Sequence, residues 1–163
     1  MILNYQTQIQ ILDEWCWAAV TSSVSFNYDT NSAWLQSRIV GKLIDSSCEN
    51  ITTVNAAGAP LVCHTVFSLA DALQLTNNFA WMVERHLTLN EIRYQINNGW
   101  PVCCQIHWAG IDQAHFITIY GYEGNTIIIG DPQAGVCSQD YNALINDYRS
   151  GNWIRSYGTQ PSI

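Results

Sequence analysis

Two apolar runs, His115 to Tyr122 and Thr126 to Gly130, are separated by Gly124-Asn125 and constrain the fold more than any other part of the chain. Their apolar residues stand at consecutive positions rather than alternate ones. Successive side chains of a strand point to opposite faces, so each strand is expected to be covered on both sides. A short turn bearing Gly and Asn between two such runs is a hairpin signal. A chain of 163 residues is long enough to bury a real core around this hairpin and is expected to form one domain, residues 1–163.

Around the hairpin the pattern divides. Residues 1–12 suggest an extended lead-in. Asp13 can cap a helix from about Glu14 to Phe26, with Trp17, Val20, Val24 and Phe26 as an apolar stripe and Ala18 and Ala19 permitting close packing. Tyr28 to Ser32 suggests a turn, and Ser32 to Ile44 a second helix. The small, polar stretch Cys48 to Pro60 suggests a loop, Val66 to Leu75 a short helix, and Phe79 to Arg85 a strand. Thr88 and Glu91 have the spacing of a capping box for a helix that ends at Asn98-Gly99. Pro101 to Trp108 predicts a strand, Gly110 to Gln113 a turn, Gly135 to Asp140 a loop, Tyr141 to Arg149 a short helix and Asn152 to Tyr157 a last strand. Helices first and antiparallel strands second make an α+β plan, with a helical half over about 1–78 and a sheet half over about 79–163.

Charge and cysteine usage exclude several roles. The formal charge is −7 and only six Lys and Arg are present, scattered, so a nucleic-acid partner is not expected. No apolar run approaches a membrane span, no membrane partner is expected, and no charged-then-apolar signal peptide is legible after Met1. The six cysteines stand at 16, 48, 63, 103, 104 and 137, with no CxxC among them. His64 beside Cys63 lacks the ligand spacing of a closed metal site. Cys48 and Cys63 can bracket a loop as a disulfide, or serve as small buried hydrophobes. Nothing in the sequence calls for a metal or an organic cofactor.

Chemistry concentrates at Gln10 to Ala19, QILDEWCWAA, where Cys16 stands between two tryptophans. A thiol nucleophile needs a base, a group that orients the base, and donors for an oxyanion. A helix start lends Cys16 partial positive charge. His115 opens a buried strand, and Asp131 ends the neighbouring one. A hairpin brings those two ends together, so Asp131 can accept the imidazole N–H and fix its tautomer. His107 is the rival base, without an acid at a matching strand end. Gln10 can supply a side-chain amide donor, and the Cys16 N–H a second. Trp15 and Trp17 are read as wedges between the two halves rather than as substrate contacts.

The blocks Gln10, Trp15-Cys16-Trp17-Ala18-Ala19, Gly99-x-Pro101-Val102, Ala114-His115-Phe116, Gly121-Tyr122 and Asp131-Pro132 resemble the bacterial papain-like cysteine proteases of the AvrRpt2 type, peptidase family C70. The order Gln, Cys, His, Asp is also similar to that of papain and of the C39 leader-peptide peptidases. The resemblance implies a papain-like fold with a cleft between the halves. It implies Cys16 as nucleophile, His115 as base, Asp131 as orienter and Gln10 as oxyanion donor, acting on a protein or peptide substrate. It further implies a secreted bacterial protein or one delivered into another cell; a monomer is favoured. Glu14-Trp15 before the cysteine and Asp in place of Asn depart from papain. Two other functions stay open on the same residues: a glutamine deamidase or transglutaminase, and a catalytically silent binding module.

Overall fold

The structure, a computed structural model, describes residues 1–108, 110 and 112–162. The turn expected at Gly110 to Gln113 includes Ile111, which lies outside the described residues. Five α-helices are present among the described residues: α1 (Cys16–Tyr28), α2 (Gln36–Leu43), α3 (Leu69–Leu75), α4 (Leu89–Asn97) and α5 (Tyr141–Asp147). Six strands, β1 (Phe79–Val83), β2 (Val102–Trp108), β3 (Ala114–Glu123), β4 (Thr126–Asp131), β5 (Gly135–Asp140) and β6 (Gly151–Thr159), form one antiparallel sheet in the order β1-β6-β2-β3-β4-β5. The α+β plan expected from the sequence is therefore the architecture observed.

The sheet is covered on both faces, which accounts for the consecutive apolar positions. Phe116 and Tyr120 of β3 pack into a core with α1, α2 and α3. Ile117 and Ile119, between and beside them, point the other way into a second core with α4 and α5. The same alternation separates the adjacent thiols: Cys103 belongs to the first core and Cys104 to the second. Burial pushes the Cys103 thiol up to about 12 and the Cys104 thiol well above its ordinary range, so both are inert.

Helix α1 is the central helix of its layer. Every residue from Cys16 to Ser25 is buried, so an apolar stripe alone does not describe it. Two of its hydroxyls bond within the helix, Thr21 to the Trp17 carbonyl (2.7 Å) and Ser23 to that of Ala19 (2.8 Å), while Ser22 donates to the Trp34 carbonyl (2.7 Å) and Ser25 bonds Ser32 (2.6 Å). The start differs from expectation. Asp13 does not cap α1; Trp15 occupies the cap position without a side-chain bond, and the helix begins at Cys16. The reason is a turn over residues 11–15, closed by the Trp15 N–H on the Leu12 carbonyl (3.0 Å).

Other boundaries moved for local reasons. Helix α2 begins only at Gln36, because the Ser32 hydroxyl caps a turn by accepting from the Trp34 N–H (3.1 Å). Ser68 caps α3 by accepting from the Asp71 N–H, which starts that helix at Leu69. The Thr88–Glu91 capping box forms as expected. Gly135 to Asp140, expected as a loop, is strand β5. It is an edge strand with alternating exposure, held by its ladder to β4 rather than by an apolar run.

The lead-in is anchored at both ends. The Leu3 N–H donates to the Tyr120 carbonyl and the Tyr122 N–H to that of Met1 (2.9 Å each), beside the irregularity that leaves Tyr120 unpaired with β4. Farther along, the buried Gln36 side chain donates to the Ile9 carbonyl (3.0 Å) and accepts from the Ile11 N–H (2.9 Å), and the Gln10 N–H donates to the Pro132 carbonyl (2.8 Å). Gln10 is thus fixed between α2 and the end of β4.

Candidate active site

Cys16 is the first residue of α1. The amides of a helix's first turn have no partner within the helix, so its N–H points outward together with the positive end of the helix dipole. Its side chain opens into a pocket of about 120 Å³ that is also lined by Gln10, Glu14, Trp108, His115 and Gln133. Among the four cysteines outside the disulfide it is the one that lines this pocket.

The two indoles beside it hold its surroundings. Trp15 Nε1 donates to the Cys63 carbonyl (2.7 Å) and Trp17 Nε1 to that of Thr65 (3.0 Å). Cys63 is bonded to Cys48, one of the two roles the sequence left open for that pair. The strand of chain over residues 63–65 is therefore tied on one side to a disulfide and on the other to α1. Both indoles are fully buried. His64 lies 3.5 Å from Glu14 at the rim, and its neighbour Cys63 is consumed by the disulfide. Among the described residues no group of three or more His, Cys, Asp or Glu side chains could hold a metal.

His115 and Asp131 meet as the hairpin geometry requires. The imidazole Nε2 lies 2.8 Å from Asp131 Oδ1. An ionised carboxylate only accepts, so Nε2 carries the hydrogen and Nδ1 is left for other work. Cys16 lines the same pocket as this ring and lies close enough to act on its pKa. Burial by itself pushes the His115 pKa down. The bonds to Asp131 and Cys16, together with their charges, overturn this and raise it to about 9. Asp131 is fully buried, which favours its neutral form. The bond and charge of His115, the Tyr148 hydroxyl and the Gln133 N–H prevail and hold it down at about 2. The rival base, His107, pairs across to Ala114 and does not line the Cys16 pocket.

Gln10 reaches the same pocket. Its side-chain Nε2 donates to the Asp13 carbonyl, which leaves a second N–H on that nitrogen. Its Oε1 is buried without a partner.

Four supporting groups were not legible in the sequence. Trp108 packs its ring 5.5 Å from that of His115 and donates through Nε1 to the Arg149 carbonyl (2.8 Å). The Tyr148 hydroxyl donates to Asp131 Oδ2 (2.6 Å), and Arg149 lies 3.7 Å from the same oxygen. Val66 belongs both to the Cys16 pocket and to an adjoining one of about 460 Å³, which continues along Phe67, Leu69 and Phe116 to Gln105 and Arg155.

A scan against protein families matches residues 1–151 to the papain-like cysteine protease AvrRpt2 model, peptidase family C70. The chain belongs to this family. It is accordingly a thiol-dependent hydrolase of the papain-like class, the membership that the WCWAA and HF…GY…DP blocks suggested. A search of curated proteins finds no match to this C70 chain. Solved structures reproduce its fold at low identity. The peptidase domain of Streptococcus ComA, a bi-functional ABC transporter involved in a quorum-sensing pathway, superposes with a TM-score of 0.59 at 17% identity, covering 96% of this chain and 98% of that one. A double glycine motif protease from an AMS/PCAT transporter, solved with its leader peptide, gives 0.52 at 16%, covering 97% and 93%. Among the described residues no helix is long and apolar enough to cross a membrane.

The buried ion pair gives stability a definite dependence on pH. The folded His115 value lies above its ordinary 6.5, so its contribution is complete below 6.5 and is lost as pH rises through about 9. The folded Asp131 value lies below 3.8, so its contribution is complete above 3.8 and is lost as pH falls through about 2. The His115–Asp131 interaction is contained in both shifts, so they are not added; it is worth at most about 3 kcal/mol. Thermal melts of wild type and His115→Ala are expected to differ most between pH 3.8 and 6.5 and to converge toward alkaline pH. A difference that does not shrink as pH rises from 6.5 through about 9 would contradict the ion pair.

Proposed function

We propose that this protein is an endopeptidase that cleaves peptide bonds of a protein substrate through Cys16, His115 and Asp131, with Gln10 assisting. The observation that carries the reading is His115 held 2.8 Å from a buried carboxylate in the same pocket as a cysteine at a helix start.

In this mechanism Cys16 and His115 form a thiolate–imidazolium pair. The sulfur attacks the carbonyl carbon of the scissile amide, and the oxygen takes up the negative charge. The Cys16 N–H and the unspent Gln10 N–H bond that oxygen. His115 gives its Nδ1 proton to the departing amine, and the C–N bond breaks to leave a thioester. His115 then takes a proton from water, whose oxygen displaces the sulfur and releases the acid. Asp131 accepts from Nε2 throughout and keeps Nδ1 facing the reaction. Substrate residues beside the scissile bond run along the wall of Val66, Phe67 and Phe116.

Work outside the producing cell, by secretion or delivery into another cell, is supported by the Cys48–Cys63 disulfide, since such bonds persist where thiols are not kept reduced. The test of the function is digestion of a mixed peptide library, read by mass spectrometry. Fragments with new termini at a recurrent sequence are expected. Intact peptides showing only the mass change of glutamine deamidation, or no change at all, would refute peptide-bond cleavage.

A further inference from the structure

The hydroxyl of Tyr148 completes the bonding of a carboxylate that is otherwise held at one oxygen. Asp131 Oδ1 accepts from His115 Nε2 (2.8 Å) and from the backbone amides of Gln133 (2.8 Å) and Ala134 (3.2 Å). These three donors fix a single atom, and a carboxylate held at one oxygen can still turn about its Cβ–Cγ bond. Tyr148 supplies the second point by donating to Oδ2 at 2.6 Å. Arg149 approaches the same oxygen only to 3.7 Å and is half exposed, so its charge is screened by solvent.

The backbone around Tyr148 is shaped to hold that hydroxyl in place. Tyr148 and Gly151 exchange both backbone hydrogen bonds (3.0 and 2.8 Å). The two residues between them, Arg149 and Ser150, have φ of 50° and 69°, a left-handed conformation unfavourable to any residue with a side chain. Such strain persists where surrounding contacts over-determine it. Here the contacts are Tyr148 on Asp131 below the turn and the Arg149 carbonyl on Trp108, which covers His115.

We infer that Tyr148 is a positioning residue for catalysis, fixing the rotation of the Asp131 carboxylate and through it the aim of the His115 imidazole. The inference rests on the triad proposed above. The groups facing Asp131 are His115 from β3, Tyr148 and Arg149 from the turn after α5, and the amides of Gln133 and Ala134. Cys137 of β5 reaches only the Tyr148 hydroxyl, at 3.7 Å.

Tyr148→Phe deletes the hydroxyl and keeps the ring. Its substrate is a fluorogenic peptide carrying the sequence that wild type cleaves most readily in the library. We expect kcat to fall about tenfold with KM unchanged. The acid limb of the kcat profile moves to higher pH, because the charged form of Asp131 loses a donor. Cys137→Ala, which removes only the sulfur contact, retains wild-type kcat and acid limb. Site-specific 3-fluorotyrosine at 148 keeps the packing and strengthens the donor, and it moves the acid limb the opposite way, whether or not the Phe variant folds. Wild-type kcat and acid limb in Tyr148→Phe, an equal loss in Cys137→Ala, or an unmoved limb with fluorotyrosine would overturn the inference. Asp131→Ala assayed beside them separates the two levels. If it is inactive while Tyr148→Phe is normal, only the role of Tyr148 fails; if it is fully active, the triad reading itself fails.

Discussion

Cys16→Ala is expected to fold as wild type does and to cleave nothing detectable. The two halves of that expectation have different causes. Cys16 is buried, but its sulfur lies at the end of a helix beside a pocket, so its loss deletes one small atom from a wall rather than from a packed interior. The cost to stability is about 1 kcal/mol. The helix start is set by the turn over residues 11–15 and not by the thiol, so the site keeps its shape. Activity has no such reserve. In the proposed mechanism the sulfur is the atom that forms the covalent intermediate, and the other thiols cannot replace it: Cys103 and Cys104 are fully buried on opposite faces of the sheet, and Cys137 lies in β5 and does not line the Cys16 pocket. Loss of a nucleophile that works as part of a unit costs on the order of 10⁶-fold in kcat. Initial rates on the cleaved peptide, together with a thermal melt, check both halves at once.

Asp131→Ala is expected to damage both activity and fold. The carboxylate is fully buried and accepts from His115, Tyr148, Gln133 and Ala134. Truncation leaves those donors without their acceptor at a position buried from solvent. Removing one partner of a buried charged pair costs about 3–5 kcal/mol. The imidazole also loses the group that selects its tautomer, for which a fall of about 10⁴-fold in kcat is expected. A denaturant titration and the kcat of the folded fraction measure the two effects separately. A variant as stable and as active as wild type would remove Asp131 from the site.

The parts of this arrangement that were legible in the sequence are those fixed by simple geometry. A hairpin of two buried strands must bring its open ends together, and His115 and Asp131 stand at those ends. The capping box at Thr88 and Glu91 is a local signal that needs no tertiary help. The misplaced start of α1 shows the limit of that reasoning. Asp13 is a good cap by composition, but the tight turn after Gln10 uses its carbonyl instead and delays the helix to Cys16. Strand β5 lacked an apolar run because every second one of its side chains is exposed on one face of the sheet. Tyr148 and Trp108 could not be found from spacing. One aromatic hydroxyl reaches a carboxylate across a helix and a strained turn, and the other ring covers a histidine from a neighbouring strand. Both relations exist only once the sheet order is set.

The most direct measurement of the central proposal, that Cys16 and His115 form a reactive pair, is the rate of iodoacetamide alkylation of each cysteine at mildly acidic pH, read by peptide mass. Cys16 is predicted to react well ahead of Cys103, Cys104 and Cys137, and to lose that lead in His115→Ala. A Cys16 that reacts no faster than the other thiols, or that keeps its lead without the imidazole, would contradict the pair.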